Sequence, residues 1–181
     1  MNDQLPPIAD SSSRLAASRK AFEALRPRVE ARAPWPLAER FDAAPEAAWG
    51  PREALAHVAE MLPYWLGEYE RLVEAGRGPG DGQPFGRLAT DTLRLGVLER
   101  DRTLPLRELF DRIDSSIARW ERRAAQAAER PADDVAAGLH PRLGEMTAGE
   151  VRDRFVVGHL EEHVEQLEAL LGATPAAGAG G

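Results

Sequence analysis

The sequence predicts an all-α fold, a four-helix bundle with a long connection between its second and third helices. Three observations lead to it. The 181 residues suffice for one domain and are too few for two, each with its own core. The chain holds 31 alanines, the best helix former and a residue depleted in strands, while Val, Ile, Tyr and Phe are scarce. Four stretches carry apolar residues at helical spacing, and no stretch alternates as a half-buried strand would.

The first helix is expected from the Asp10-Ser11-Ser12-Ser13 cluster, where side-chain oxygens can cap open N–H groups, through Leu15, Phe22, Leu25 and Val29. Pro27 should kink or divide it, and Pro34-Trp35-Pro36 ends it. Pro51 opens the second, which carries Leu55, Val58, Leu62, Trp65, Leu66, Tyr69, Leu72 and Val73. Glycines and proline in the run from Gly76 to Gly82 stop it, and residues 77 to 104 read as a long, partly irregular connection. After Pro105 a third helix places Leu106, Phe110, Ile113, Ile117, Trp120, Ala124 and Ala127 in alternating steps of four and three, the pattern of a bundle seam, until Pro131. Thr147-Ala148-Gly149-Glu150 fits a capping box, from which a fourth helix runs through Val151, Phe155, Val156, Leu160, Val164, Leu167 and Leu171 to Gly172. The domain is thus expected over 10–172, with a flexible segment at 1–9 and a disordered Ala/Gly tail at 173–181.

Charge and composition exclude other classes. With 30 acidic residues against 23 basic ones, the net charge of −7 disfavours binding to nucleic acid or an anionic membrane. No apolar run is long enough to span a bilayer, and no signal segment is evident, so a cytoplasmic protein is expected. The absence of cysteine removes disulfides, thiolate nucleophiles and Cys-type zinc sites, leaving His, Asp and Glu for any metal.

Only four histidines occur, and His159 and His163 stand four apart on one helix face, where two imidazoles can reach a single ion. Their bisector lies about 50° from the centre of the fourth helix's apolar arc, so the pair looks inward. His57 lies about 110° from the middle of its own arc, at the edge, and by itself suits a surface position. Partly buried histidines need partners, and a third imidazole from a neighbouring helix would complete three nitrogen ligands with one position open. His159-Leu160-Glu161-Glu162-His163 also satisfies the H-x-x-E-H pattern of inverted zinc proteases. With only 18 residues after His163, a ligand from well downstream is not expected. Glu162, about 80° off the bisector, suits a solvated charge beside the ion, and Gln166, about 40° off, is better aimed for a hydrogen bond to a ligand. His140, before Pro141 in a loop, is expected to fix that loop or line a pocket mouth. Met61 and Tyr64 share the side of His57 and are the pocket candidates, whereas Trp65, Trp120 and Phe155 read as core.

The segment from Trp49-Gly50-Pro51 to His57-Val58 resembles the start of the second helix in the DinB-like (DinB/YfiT) superfamily, where a tryptophan and a proline precede a metal-binding histidine. His140-Pro141, Gly144-Glu145-Met146-Thr147 and His159-x-x-x-His163-x-x-Gln166 resemble that family's approach to its last helix and its closing motif, over roughly residues 10 to 171. The resemblance implies a four-helix bundle, often a homodimer, in which His57, His159 and His163 hold a divalent ion such as nickel or zinc. Relatives include transferases that join low-molecular-weight thiols to electrophiles. The lone lysine, Lys20, departs from any thiol site built on lysines. Three functions follow as expectations: a metal-dependent thiol S-transferase acting on a small electrophile with the thiol as co-substrate, a metal-dependent hydrolase with Glu162 as a candidate base, or a non-enzymatic metal-binding dimer.

Overall fold

The computed structural model describes residues 8–38 and 49–173. Most of the expected N-terminal segment and nearly all of the Ala/Gly tail lie outside these residues. The first helix, α1 (Ile8–Ala31), buries Ser11, Leu15, Ser18, Phe22, Leu25 and Val29, in steps of four and three. The helix α4 (Leu106–Glu129) buries Leu106, Leu109, Phe110, Ile113, Ile117, Trp120, Ala124 and Ala127 with the same rhythm. This repeat keeps two helices in register along their length, and α1 lies against α4. Arg19 reaches Asp114 and Glu121 along the rim of the seam, and Arg26 reaches Asp111. Such exposed pairs contribute about 0–1 kcal/mol each, so the buried apolar seam holds the two helices together. Pro27 does not divide α1. It removes one N–H near the helix end, while Leu25 and Val29, both buried, keep the last turn packed.

The helix α2 (Pro51–Ala75) runs from the expected proline to Gly76, whose positive φ of 60° lets its N–H cap the Leu72 and Val73 carbonyls. It packs on α4, where the buried Trp120 indole donates to the Leu62 carbonyl at 3.0 Å. The long connection that follows is more ordered than the sequence predicts, because it contains α3 (Thr92–Asp101), capped by Asp91 accepting from the Arg94 N–H. The buried positions of α3 are Arg94, Leu98 and Asp101, too few apolar residues to register as a hydrophobic period.

A second difference is a short antiparallel hairpin, β1 (Ala137–His140) and β2 (Gly144–Thr147), with Ala137 opposite Thr147 and His140 opposite Gly144. Ala-Gly-Leu-His and Gly-Glu-Met-Thr are poor strand formers, and their pairing partners bring them into strands. Leu139 donates to the Gln83 carbonyl and accepts from the Phe85 N–H, which fastens the 83–86 segment beside β1. The fold is mostly helical with this one small sheet among the described residues. No helix among them is long and apolar enough to cross a membrane.

The capping box of Thr147 and Glu150 forms as expected and starts α5 (Ala148–Arg152). The fourth helix then departs from regularity: Asp153–Gly158 is a π-helical segment, followed by α6 (His159–Gly172). At its start Arg152, 2% exposed, binds Asp134 at 2.6 Å and Asp153 at 3.0 Å. The Tyr69 hydroxyl donates to Asp134, and the Ser11 hydroxyl to Asp153. A buried ion pair adds little over a well-packed apolar substitute, but removing one partner strands the others without solvent. Arg152→Ala is expected to lower the unfolding free energy by about 3–5 kcal/mol in urea titration; a loss under 1 kcal/mol would show that the two carboxylates do not depend on it.

Candidate metal centre

The wall of α2 and the start of α6 face each other one layer in from α3. His57 enters from α2 and is 4% exposed, although its helical phase alone places it at the edge of the apolar face. Its cover comes from elsewhere in the chain. The Trp49 ring meets it edge-on at 5.3 Å, and Arg94 on α3 approaches its Nδ1 at 3.3 Å. His159 and His163 enter from α6, the first half-buried and the second 3% exposed.

The three rings converge on their Nε2 atoms. His159 Nε2 stands 2.9 Å from His57 Nε2 and 3.2 Å from His163 Nε2, and all three ligand atoms fall within 4.8 Å of one another. Nitrogens bound at about 2.0–2.1 Å to one tetrahedral ion lie about 3.3 Å apart, so the donor set fits a divalent cation with little movement. The surrounding bonds orient the rings. Gln166 Oε1 accepts from His163 Nδ1 at 2.8 Å, and Glu162 Oε2 lies 3.2 Å from His159 Nδ1. Both contacts place the ring proton on Nδ1 and turn an Nε2 lone pair inward. His57 is the exception: its Nδ1 accepts from Arg94, so its remaining proton sits on Nε2, toward His159. To hold an ion through Nε2, His57 would carry its proton on Nδ1 instead, and Arg94 would then give up this contact. Arg94 retains the Ala89 carbonyl and the face of Trp49.

Electrostatics favour neutral ligands. Burial lowers the pKa of His57 far below its ordinary value, and the neighbouring imidazoles lower it further. Burial and then His159 bring His163 down to about 4. Neutral imidazole is the form that binds metal, and the pocket keeps these two histidines in that form at neutral pH.

A cleft of about 430 Å³ opens over His57 and His159. Met61 lines it as expected, but Tyr64 does not; the Tyr64 ring lies under the Arg87 guanidinium, and burial raises its hydroxyl to about 12. Trp65 and Phe155 stack at 4.0 Å and serve both core and cleft wall. His140 also lines the cleft, but its polar atoms are engaged: Nδ1 accepts from the Arg142 and Leu143 N–H groups, and the ring bonds the Arg87 backbone. Gly86, at φ +76°, permits this approach, because a Cβ there would meet the His140 ring at 2.5 Å. Glu162 is 73% exposed and sits on the Nδ1 side of His159, away from the convergence point. Sequence reasoning missed Arg87, Arg94, Arg142 and Arg154, all of which line the cleft. Only the Asp91 cap before Arg94 signalled the placement of any of them.

Two outcomes test this geometry. Gln166→Leu is expected to weaken metal binding 10- to 100-fold, read by competition with a chromogenic chelator; unchanged affinity would mean that the amide does not orient His163. In chelator-treated protein, His163 has a folded pKa below the ordinary 6.5, so the unfolded chain takes up protons first. Its contribution to stability is full above pH 6.5 and shrinks as pH falls toward about 4. Thermal midpoints should drop between pH 6.5 and 5, and more steeply in the parent than in His163→Leu. Equal slopes would contradict the shift.

No family model, curated protein or solved structure matches this chain.

Proposed function

We infer that the protein is a metal-dependent enzyme of the DinB-like four-helix-bundle type, and that it transfers a low-molecular-weight thiol to a small electrophile. The convergence of three imidazole Nε2 atoms, two of them from histidines that line an open cleft, carries this reading. His57, His159 and His163 would hold a nickel or zinc ion. Bound there with a position open to the cleft, the ion supplies the Lewis acidity that depresses the pKa of a thiol or water.

The chain's own residues favour the thiol over water. Hydrolysis needs a proton acceptor beside the nucleophile, and no carboxylate among the described residues lines the cleft. Glu162, the candidate base, faces solvent behind His159. A thiol with a pKa near 8.5 needs a smaller shift than water to ionise at neutral pH, so it requires no dedicated base. Met61, Trp65 and Phe155 offer an apolar wall to the electrophile and exclude water from one side of it. The rigid stack of Trp65 on Phe155 fixes that wall relative to the histidines. A non-enzymatic site would be closed by a fourth protein ligand, and among the described residues only three such groups converge. Homodimerisation, which the family resemblance implies, belongs to the same proposal.

The test is elemental analysis of the untagged protein beside His57→Ala and His159→Ala, followed by thiol-dependent turnover of a chromogenic aryl halide. About one equivalent of divalent metal in the parent, almost none in the variants, and turnover only with added thiol is the expected result. Full loading in both variants would overturn the triad. Turnover without thiol would favour the hydrolase.

A further inference from the structure

The charge in the cleft runs against the charge of the chain. Asp and Glu outnumber Lys and Arg by 30 to 23, yet four arginines and no acid line the cleft among the described residues. Two of the four are engaged. Arg87 binds Glu60 at 2.5 Å, and Arg94 is buried against the Ala89 carbonyl and His57. The other two, Arg142 in the hairpin turn and Arg154 in the π-helical segment, are exposed, and neither pairs with a carboxylate among the described residues. Both fields reach inward, since Arg154 and Arg142 each depress the pKa of His140, after burial as the main cause. The Trp65–Phe155 stack lines the same cleft, beside His140. The cleft therefore joins aromatic and cationic groups to two of the three clustered histidines, His57 and His159.

We propose that the cleft binds a small organic acid, a flat apolar body bearing one or two carboxylates, with the body against Trp65 and Phe155 and the charge on Arg142 and Arg154. The assignment names the substrate class of the metal-dependent reaction and rests on that reading for its catalytic meaning. Guanidinium forks match carboxylates in a bidentate geometry and stay charged at any working pH. A neutral ligand of the same shape would leave the two cations unanswered. An inorganic anion would lack the contact with the aromatic wall. The arginines position the acid across the mouth, which leaves its apolar body over His57 and His159.

Isothermal titration of the full chain with phthalate, benzamide and inorganic phosphate tests this, in chelator-stripped and zinc-loaded protein. In the stripped protein, phthalate is expected to bind at least tenfold more tightly than either benzamide or phosphate. The phthalate preference should weaken with added salt. Arg142→Gln/Arg154→Gln should reduce it to under threefold while leaving benzamide binding unchanged. Arg107→Gln/Arg122→Gln, which changes net charge equally on exposed positions of α4, should leave it intact. Equal binding of phthalate and benzamide, equal binding of phthalate and phosphate, or equal loss in both double variants would overturn the proposal. The two readings fail separately: protein that takes up no zinc but keeps its phthalate preference sinks the metal site alone, and loaded protein without that preference sinks the acid site alone.

Discussion

A guanidinium removed from water keeps its charge, and Arg152 is buried where only carboxylates can answer it. Asp134 and Asp153 close on it from two directions, one from the turn after α4 and one from its own helix. Each carboxylate then recruits a hydroxyl, Tyr69 from α2 and Ser11 from α1. Four segments distant in sequence are tied to one charge, and the angle at which the last helix leaves this point is set by it. The imidazoles of His159 and His163 lie about two and three turns farther along, so their meeting with His57 depends on that anchor. Apolar packing alone would tolerate small rotations of the helix; a shared ion pair in low dielectric does not.

The long helices were legible because their buried faces are continuous. The seam of α4, from Leu106 to Ala127, uses large apolar residues and alanine in an unbroken rhythm, and the structure buries every one of them. The pair His159 and His163 was legible from spacing, and Gln166 from helical phase. His57 was not placed by its own helix, because Trp49 and Arg94 bury it and both arrive from outside α2. The helix α3 was hidden for a related reason: two of its three buried residues are Arg94 and Asp101, which no hydrophobic pattern counts. The hairpin depended on partners at 83–86, over fifty residues upstream. The dual use of Trp65 and Phe155 was invisible for a different reason. A stacked pair can fill the core with one edge and face solvent with the other, and the helical phase of each residue cannot tell those roles apart.

Three imidazoles turned toward one point in a half-closed site serve the fold poorly, since each Nε2 there meets only another imidazole. Sequences that break local rules in this way do so at sites of function. The arginines make the same point on the surface. Elsewhere the chain pairs Arg14 with Glu161, Arg28 with Glu168 and Arg112 with Asp101, so carboxylates were available to neutralise a cation wherever neutralisation served the fold. Among the described residues no carboxylate lines the cleft, although four arginines do, in a chain that is acidic overall. Low-dielectric walls concentrate the field of such groups, so the proposed acid would be drawn to the cleft despite the overall negative charge.

The π-helical turn at Asp153–Gly158 sets the aim of the helix that follows it. Its wider winding lags a regular helix by roughly one residue of rotation. The stretch from Thr147 to His159 therefore holds one residue more than an unbroken helix would need to aim the same imidazole at the same point. The two ends of this helix answer to different contacts, the ion pair behind it and the histidines ahead. A variant lacking the extra residue would keep its capping box, its closing His-x-x-x-His and its hydrophobic content, and would still present those two rings to the wrong neighbour. The spacing between the capping box and His159 therefore matters to the site as much as the histidines themselves.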